Sequence, residues 1–180
     1  MSELLLAPEL QTTAWLNSKE PVSLERLKGK VVLLKAFQML CPGCVSHALP
    51  QAVRVQQIFN PEDVAVIGLH TVFEHHKAQG TRDALEAFLH EYRIGFPVGI
   101  DESSETAHTP KTMQSYQMQG TPTTILIDRD GYLRKQAFGQ VDDMALGAEI
   151  MSLLRDSDFK DQDQTSRKEG GVCTDDGCSI

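Results

Sequence analysis

The run VVLLKAFQ, Val31 to Gln38, constrains this chain more than any other stretch. It is a nearly unbroken series of apolar and β-branched residues. Such a run suits a strand buried on both faces, not one that alternates between core and water. Just beyond it stand Cys41 and Cys44, separated by Pro42-Gly43. Then comes VSHALPQAVRVQQIF, in which Val45, Ala48, Leu49, Ala52, Val53 and Phe59 recur at a helical period. Pro50 is expected to kink that helix early. A doubly buried strand that feeds a helix belongs in a sheet with helices on both faces. Cys41 then lies where a central strand hands over to a helix N-terminus.

The remaining segments fit the same architecture. DVAVIGLHT reads as a second buried strand and TRDALEAFLHEYRI as an amphipathic helix capped by Thr81. FPVGID is a short strand, and KTMQSYQM a helix ended by Gln119-Gly120. TPTTILIDRDGYLRKQAFG is a strand, an Asp130-Gly131 turn and a second strand. DDMALGAEIMSLLRD closes the domain as a helix. The order β-α-β-α-β-α-β-β-α predicts an α/β sandwich with a mixed sheet and right-handed crossovers. Upstream, APELQTTAWLN reads as a short helix or an extended lead-in, with Trp15 and Leu16 packing on the core. SLERLKGK is a helical turn capped by Ser23 and ended by Gly29. From Asp156 onward the chain turns polar, charged and Gly-containing. This predicts one domain over residues 1–155 and a flexible acidic tail over 156–180.

A chain of 180 residues can bury a full core without disulfide staples. Its formal charge of −8 argues against nucleic-acid binding, because nothing would replace the phosphate counterions. MSELLLAPEL lacks the basic region of a secretory signal, and no stretch approaches the ~20 apolar residues of a membrane helix. A cytoplasmic protein without a membrane partner is therefore expected. In that compartment thiols stay reduced, so the four cysteines point to chemistry or metal, not to structural bridges.

Cys41 and Cys44 admit three readings: a redox couple, half of a zinc site, or core residues. A helix N-terminus offers free N–H groups and partial positive charge, which favour a thiolate at Cys41. Pro42 falls at the first helical position, where its fixed φ fits and its missing N–H is no loss. Cys44, one turn inward, is placed to attack a mixed disulfide on Cys41 and release the substrate. Zinc needs two more ligands, and Cys173 and Cys178 in the tail have unusual spacing for it. The strand-to-helix setting favours redox. No cofactor and no metal are assigned to the site.

SLERLKGKVVLLKAFQMLCPGC, followed further on by GTPTTILIDRDG, resembles the thioredoxin-like proteins of the TlpA/redoxin group. The likeness runs from about Pro8 to Leu154. It implies a thioredoxin-like three-layer sandwich and a thiol–disulfide oxidoreductase. It also implies that Pro122 is cis and packed against the Cys pair, with the Thr121 backbone pairing to a bound peptide. Two positions depart from the group. Leu40 stands where an aromatic residue usually precedes the first cysteine. Lys35 stands where thioredoxins carry a buried acid that assists proton transfer. A buried Lys35 would act as a base or favour a thiolate; alternatively it snorkels to the surface and takes no part. Lys35, Leu40 and Pro42 are thus candidate modulators. The peroxiredoxin pattern Pro-x-x-x-Thr-x-x-Cys is absent, so peroxide reduction is not expected as the main role.

LHTVFEHHKAQG holds His70, Glu74, His75 and His76 after a strand. Either one of them stands beside Cys41 as a base or weak ligand, or the segment is a polar loop. His47 lies on the helix that follows Cys44, and His90 and His108 read as surface residues. GGVCTDDGCSI carries Cys173 and Cys178. A flexible linker from Arg155 reaches roughly 20–25 Å, enough to bring these thiols to Cys41 at about millimolar effective concentration. This second pair is a candidate internal redox partner, although Asp175 and Asp176 disfavour nucleophilic thiolates there. The expected function is reduction of protein or small-molecule disulfides by the CPGC dithiol, recharged by an upstream thiol reductase. The alternative is a non-catalytic metal-binding or metal-carrying module built from CPGC and the tail cysteines.

Overall fold

The computed structural model describes residues 4–166. In chain order its strands are Thr12–Leu16 (β1), Val31–Phe37 (β2), Val64–His70 (β3), Val98–Asp101 (β4), Thr123–Ile127 (β5) and Leu133–Phe138 (β6). They form one six-stranded sheet of order β1-β4-β3-β2-β5-β6. Every residue of β2 is buried, as the apolar run requires. It pairs parallel with β3 and antiparallel with β5. β4 is parallel to β3, while β1 and β6 are antiparallel edges. The sheet is therefore mixed. The lead-in around Trp15 is extended, not helical, and adds an edge strand that the element order read from sequence had left out.

The longer helices are Leu49–Ile58 (α1), His76–Gln79 (α2), Arg82–Glu91 (α3), Lys111–Ser115 (α4) and Asp143–Ser166 (α5). α1, α3 and α5 cover one face, where Leu49, Ala52, Leu85, Leu89, Leu146 and Ile150 pack on Leu33 and Phe37. The other face buries Val32, Leu34 and Ala36 under Leu10, Leu24, Met113 and Tyr116. Three layers result, as expected. Local signals read from the residues operate here: the Thr81 hydroxyl accepts from the Ala84 N–H at 3.2 Å, and Gly29 and Gly131 both adopt φ of 91°. Gly68 has a different task. A Cβ there would lie 2.9 Å from Val98 Cγ2, so the close approach of β3 to β4 needs glycine. α5 runs past Arg155, where the domain was expected to end, and Cys173 and Cys178 lie outside the described residues. Among the described residues no helix is long and apolar enough to cross a membrane.

His70 belongs to β3, not to the loop after it, and is only 2% exposed. Its ring lies 5.4 Å from that of Phe37, and its Nε2 has no hydrogen-bond partner among the described residues. Burial pulls its pKa down to about 4 from 6.5. The folded state therefore keeps it neutral where the unfolded chain takes a proton. Stability is fully present above about pH 6.5 and is lost as pH falls towards 4, by about 3 kcal/mol in all. Thermal melts between pH 7 and 4.5 should show this fall, and His70→Leu should flatten it. An equal slope in the variant would assign the loss to other groups.

Candidate active site

Cys41 ends the connection from β2 and opens the helical segment. Its carbonyl accepts from the N–H groups of Cys44 and Val45, both at 3.1 Å. The Cys44 N–H also lies 3.3 Å from Cys41 Sγ. The sulfur thus takes the place that a Ser or Asp oxygen fills in an N-cap. Pro42 follows as the first helical residue. The next turn, Cys44–Ala48, is π-helical and leads directly into α1. An α-helical turn would drive the Pro50 ring into the Ser46 carbonyl, and a wider turn relieves that clash. The distortion expected at Pro50 takes this form.

The two thiols differ sharply in setting. Cys41 is half-buried, while Cys44 is fully buried, and the two are not joined by a disulfide. Burial first, and then its hydrogen bond with Cys41, push the Cys44 thiol pKa up. Across from the pair, Cys41 Sγ lies 3.5 Å from the Thr121 carbonyl oxygen, and the Thr121–Pro122 bond is cis. Pro122 packs on Gly43, where a Cβ would stand 3.5 Å from Pro122 Cδ. Leu40 and Phe138 are each 56% exposed, and Pro42 is exposed too. The Phe138 ring lies over Gly120, where a Cβ would meet it at 2.9 Å. Lys35 does not snorkel: it is buried beneath this surface.

Sequence reading missed a buried pair of amides. Gln79 Nε2 donates to Gln38 Oε1 at 3.0 Å and to the Glu74 carbonyl at 2.9 Å. Its Oε1 accepts from the Leu40 N–H at 3.1 Å. Gln38 Nε2 in turn reaches Thr121 Oγ1 and Glu74 Oε1, both at 3.4 Å. The two glutamines bracket the end of β2, the histidine-containing loop and the Thr121 turn. Gln38 adjoins the buried run and was detectable there; Gln79, in a polar segment, left no trace. Among the described residues, the hydrogen bonds of Cys41 go to Gln38, Cys44, Val45 and Thr121. Glu74 meets the site through Gln38 and Gln79, and among the described residues no hydrogen bond joins it to Cys41. His75, His76, His90 and His108 are exposed, and His76 and His108 meet edge-on at 6.2 Å. His47 is exposed and bonds Ser46 at 2.8 Å.

A dithiol at a strand-to-helix junction, facing a cis proline on a mixed sheet, defines a thioredoxin-fold protein. The chain belongs to the AhpC/TSA family, whose model matches residues 6–136. It is 54% identical to a thioredoxin-like superfamily protein of known crystal structure, with a TM-score of 0.80, over 83% of this chain and 96% of that one. A thiol-disulfide isomerase from Corynebacterium glutamicum is 48% identical, with a TM-score of 0.78, over 82% of this chain and 96% of that one. Protein DipZ of Mycobacterium bovis is 31% identical over 84% of this chain, which spans only 21% of DipZ. The thiol-disulfide oxidoreductase ResA of Bacillus thuringiensis is 29% identical over 66% of this chain and 61% of its own length.

Proposed function

We propose that the protein reduces disulfides of protein or small-molecule substrates through Cys41 and Cys44. The Cys41 thiolate attacks one substrate sulfur, the substrate S–S bond breaks, and the leaving sulfur takes a proton. Cys44 then loses its proton and attacks Cys41 Sγ. The mixed disulfide breaks, a Cys41–Cys44 disulfide forms, and the second substrate sulfur leaves as a thiol. An upstream thiol reductase returns the pair to the dithiol. The observation that carries this reading is the asymmetry of the pair: Cys41 is half-buried at a helix N-cap with a backbone N–H on its sulfur, and Cys44 is closed off behind it. Thr121 offers backbone to a substrate strand, and Pro122, Leu40 and Pro42 shape the apolar rim around Cys41. A cytoplasmic setting would make reduction the working direction. Cys173 and Cys178 would serve as an internal exchange partner for Cys41.

A glutathione redox titration tests this, with thiols alkylated and read by mass spectrometry and with zinc assayed alongside. The whole chain is compared with a Cys173→Ser, Cys178→Ser variant. A reversible Cys41–Cys44 disulfide is expected, and a linkage from Cys41 to Cys173 or Cys178 would support the tail as partner. No reversible disulfide, together with retained zinc, would replace this reading with the metal-binding module.

A further inference from the structure

Lys35 is 1% exposed, in the middle of β2 between Gly68 of β3 and Thr124 of β5. Its Nζ donates to Gln51 Oε1 at 2.5 Å and to Thr124 Oγ1 at 2.7 Å. Both acceptors are neutral. Gln51 passes the contact on, since its Nε2 donates to Asp143 Oδ1 at 2.6 Å, and Asp143 pairs with Arg54 at 2.9 Å. An ammonium buried this way, with no carboxylate among the described residues bonded to it, is costly to the fold. An apolar residue would serve a plain structural role better.

The position of Cys44 supplies a reason for the charge. The Cys44–Ala48 turn continues into α1, the helix that carries Gln51. Cys44 therefore packs in the layer on the Leu33 and Phe37 face of β2, the face to which Lys35 also projects. We infer that the Lys35 ammonium is a buried counter-charge that stabilises the Cys44 thiolate formed during resolution. This rests on the dithiol reading above and makes Lys35 an electrostatic positioning residue acting through Cys44. The Cys44 proton goes to solvent, Lys35 keeps its own, and the electron pair ends on the departing substrate sulfur, which is reprotonated. The opposing cost at Cys44, chiefly burial, is large, so a fixed positive charge has much to offset.

The groups facing Lys35 set the pH range. Cys44 on the π-turn and Asp143 at the start of α5 favour its charged form, and Lys135 of β6 opposes it. Asp143 is shared with Gln51 and Arg54, and Lys135 with Glu149. Burial outweighs them and brings the Lys35 pKa down to about 8. Lys35 is thus charged at neutral pH and discharges as pH rises through about 8.

The test is stopped-flow reaction of the reduced full chain, carrying Cys173→Ser and Cys178→Ser, with one equivalent of 5,5′-dithiobis(2-nitrobenzoate). The first thionitrobenzoate released reports attack by Cys41 and the second reports resolution by Cys44. Lys35→Met removes the charge; Lys35→Gln also does so while keeping a donor for Thr124 and Gln51. Below pH 7 both variants should resolve about tenfold more slowly, the effect of roughly one pKa unit at Cys44. The first phase should change far less. The gap should close as pH rises to about 9.5, where wild-type Lys35 has lost its charge. A slowing of resolution independent of pH, or none, overturns the inference. A wild-type protein with a first phase and no second phase would instead overturn the dithiol reading, and the inference with it.

Discussion

On the proposed roles, Cys41→Ser should bring disulfide reduction down to the uncatalysed rate, a loss of roughly 10³-fold or more for removing a nucleophile. The hydroxyl has no accessible anion near neutral pH, so it cannot attack sulfur. The fold should not suffer. The Cys44 N–H now lies 3.3 Å from Cys41 Sγ, and a serine oxygen is a good N-cap acceptor for it. A melt unchanged or slightly raised would therefore separate chemistry from folding. Cys44→Ser behaves differently. Cys41 still attacks, nothing resolves the product, and a substrate mixed disulfide on Cys41 accumulates, visible by mass spectrometry without reductant. If Cys44→Ser lost all attack and Cys41→Ser kept it, the two roles would have to be exchanged.

Phe37→Ala should lower stability by about 3–5 kcal/mol, the cost of removing a fully buried aromatic side chain. For a domain of this size that is a fall of roughly 6–20 °C in Tm. Phe37 closes β2 immediately before the segment that leads to Cys41. Its ring packs against Phe88 of α3 at 6.3 Å and against His70 at 5.4 Å. Its carbonyl accepts from the Thr71 N–H at 3.1 Å and so holds the start of the next loop. The cavity would open under the site and not at its surface. Denaturant unfolding checks the magnitude. A loss below about 1 kcal/mol would mean that α3 collapses into the space, which the rigid sheet beneath it argues against.

Several readings were legible because their causes are local. VVLLKAFQ announces a doubly buried strand by composition alone. Thr81 sits before an amphipathic run and caps it. Gly131 takes a positive φ in the turn between β5 and β6. The Cys41–Cys44 spacing after that strand places the pair at a helix start wherever the helix later packs. β1 was less clear, because TTAWL carries a weak strand pattern. Its state is settled by antiparallel pairing with β4, a partner far along the chain. His70 stands in both readings, at the end of DVAVIGLHT and at the start of the histidine-containing segment, and pairing with Phe37 of β2 and Ile100 of β4 decides for the strand.

The amino-acid sequence by itself determined the strand-to-helix frame, the three-layer class and the location of the dithiol, because periodicity, capping and turn chemistry act over a few residues. Only the tertiary structure decided what surrounds that dithiol. Lys35 could snorkel or be buried until Gln51 of α1 and Thr124 of β5 supplied acceptors inside the core. Gln79 is an ordinary polar residue until it meets Gln38 and the Leu40 N–H. Pro122 faces Gly43 only because β5 lies next to β2. Desolvation and hydrogen bonding depend on neighbours brought from elsewhere in the chain, so the charge states and contacts at the two sulfurs are properties of the fold.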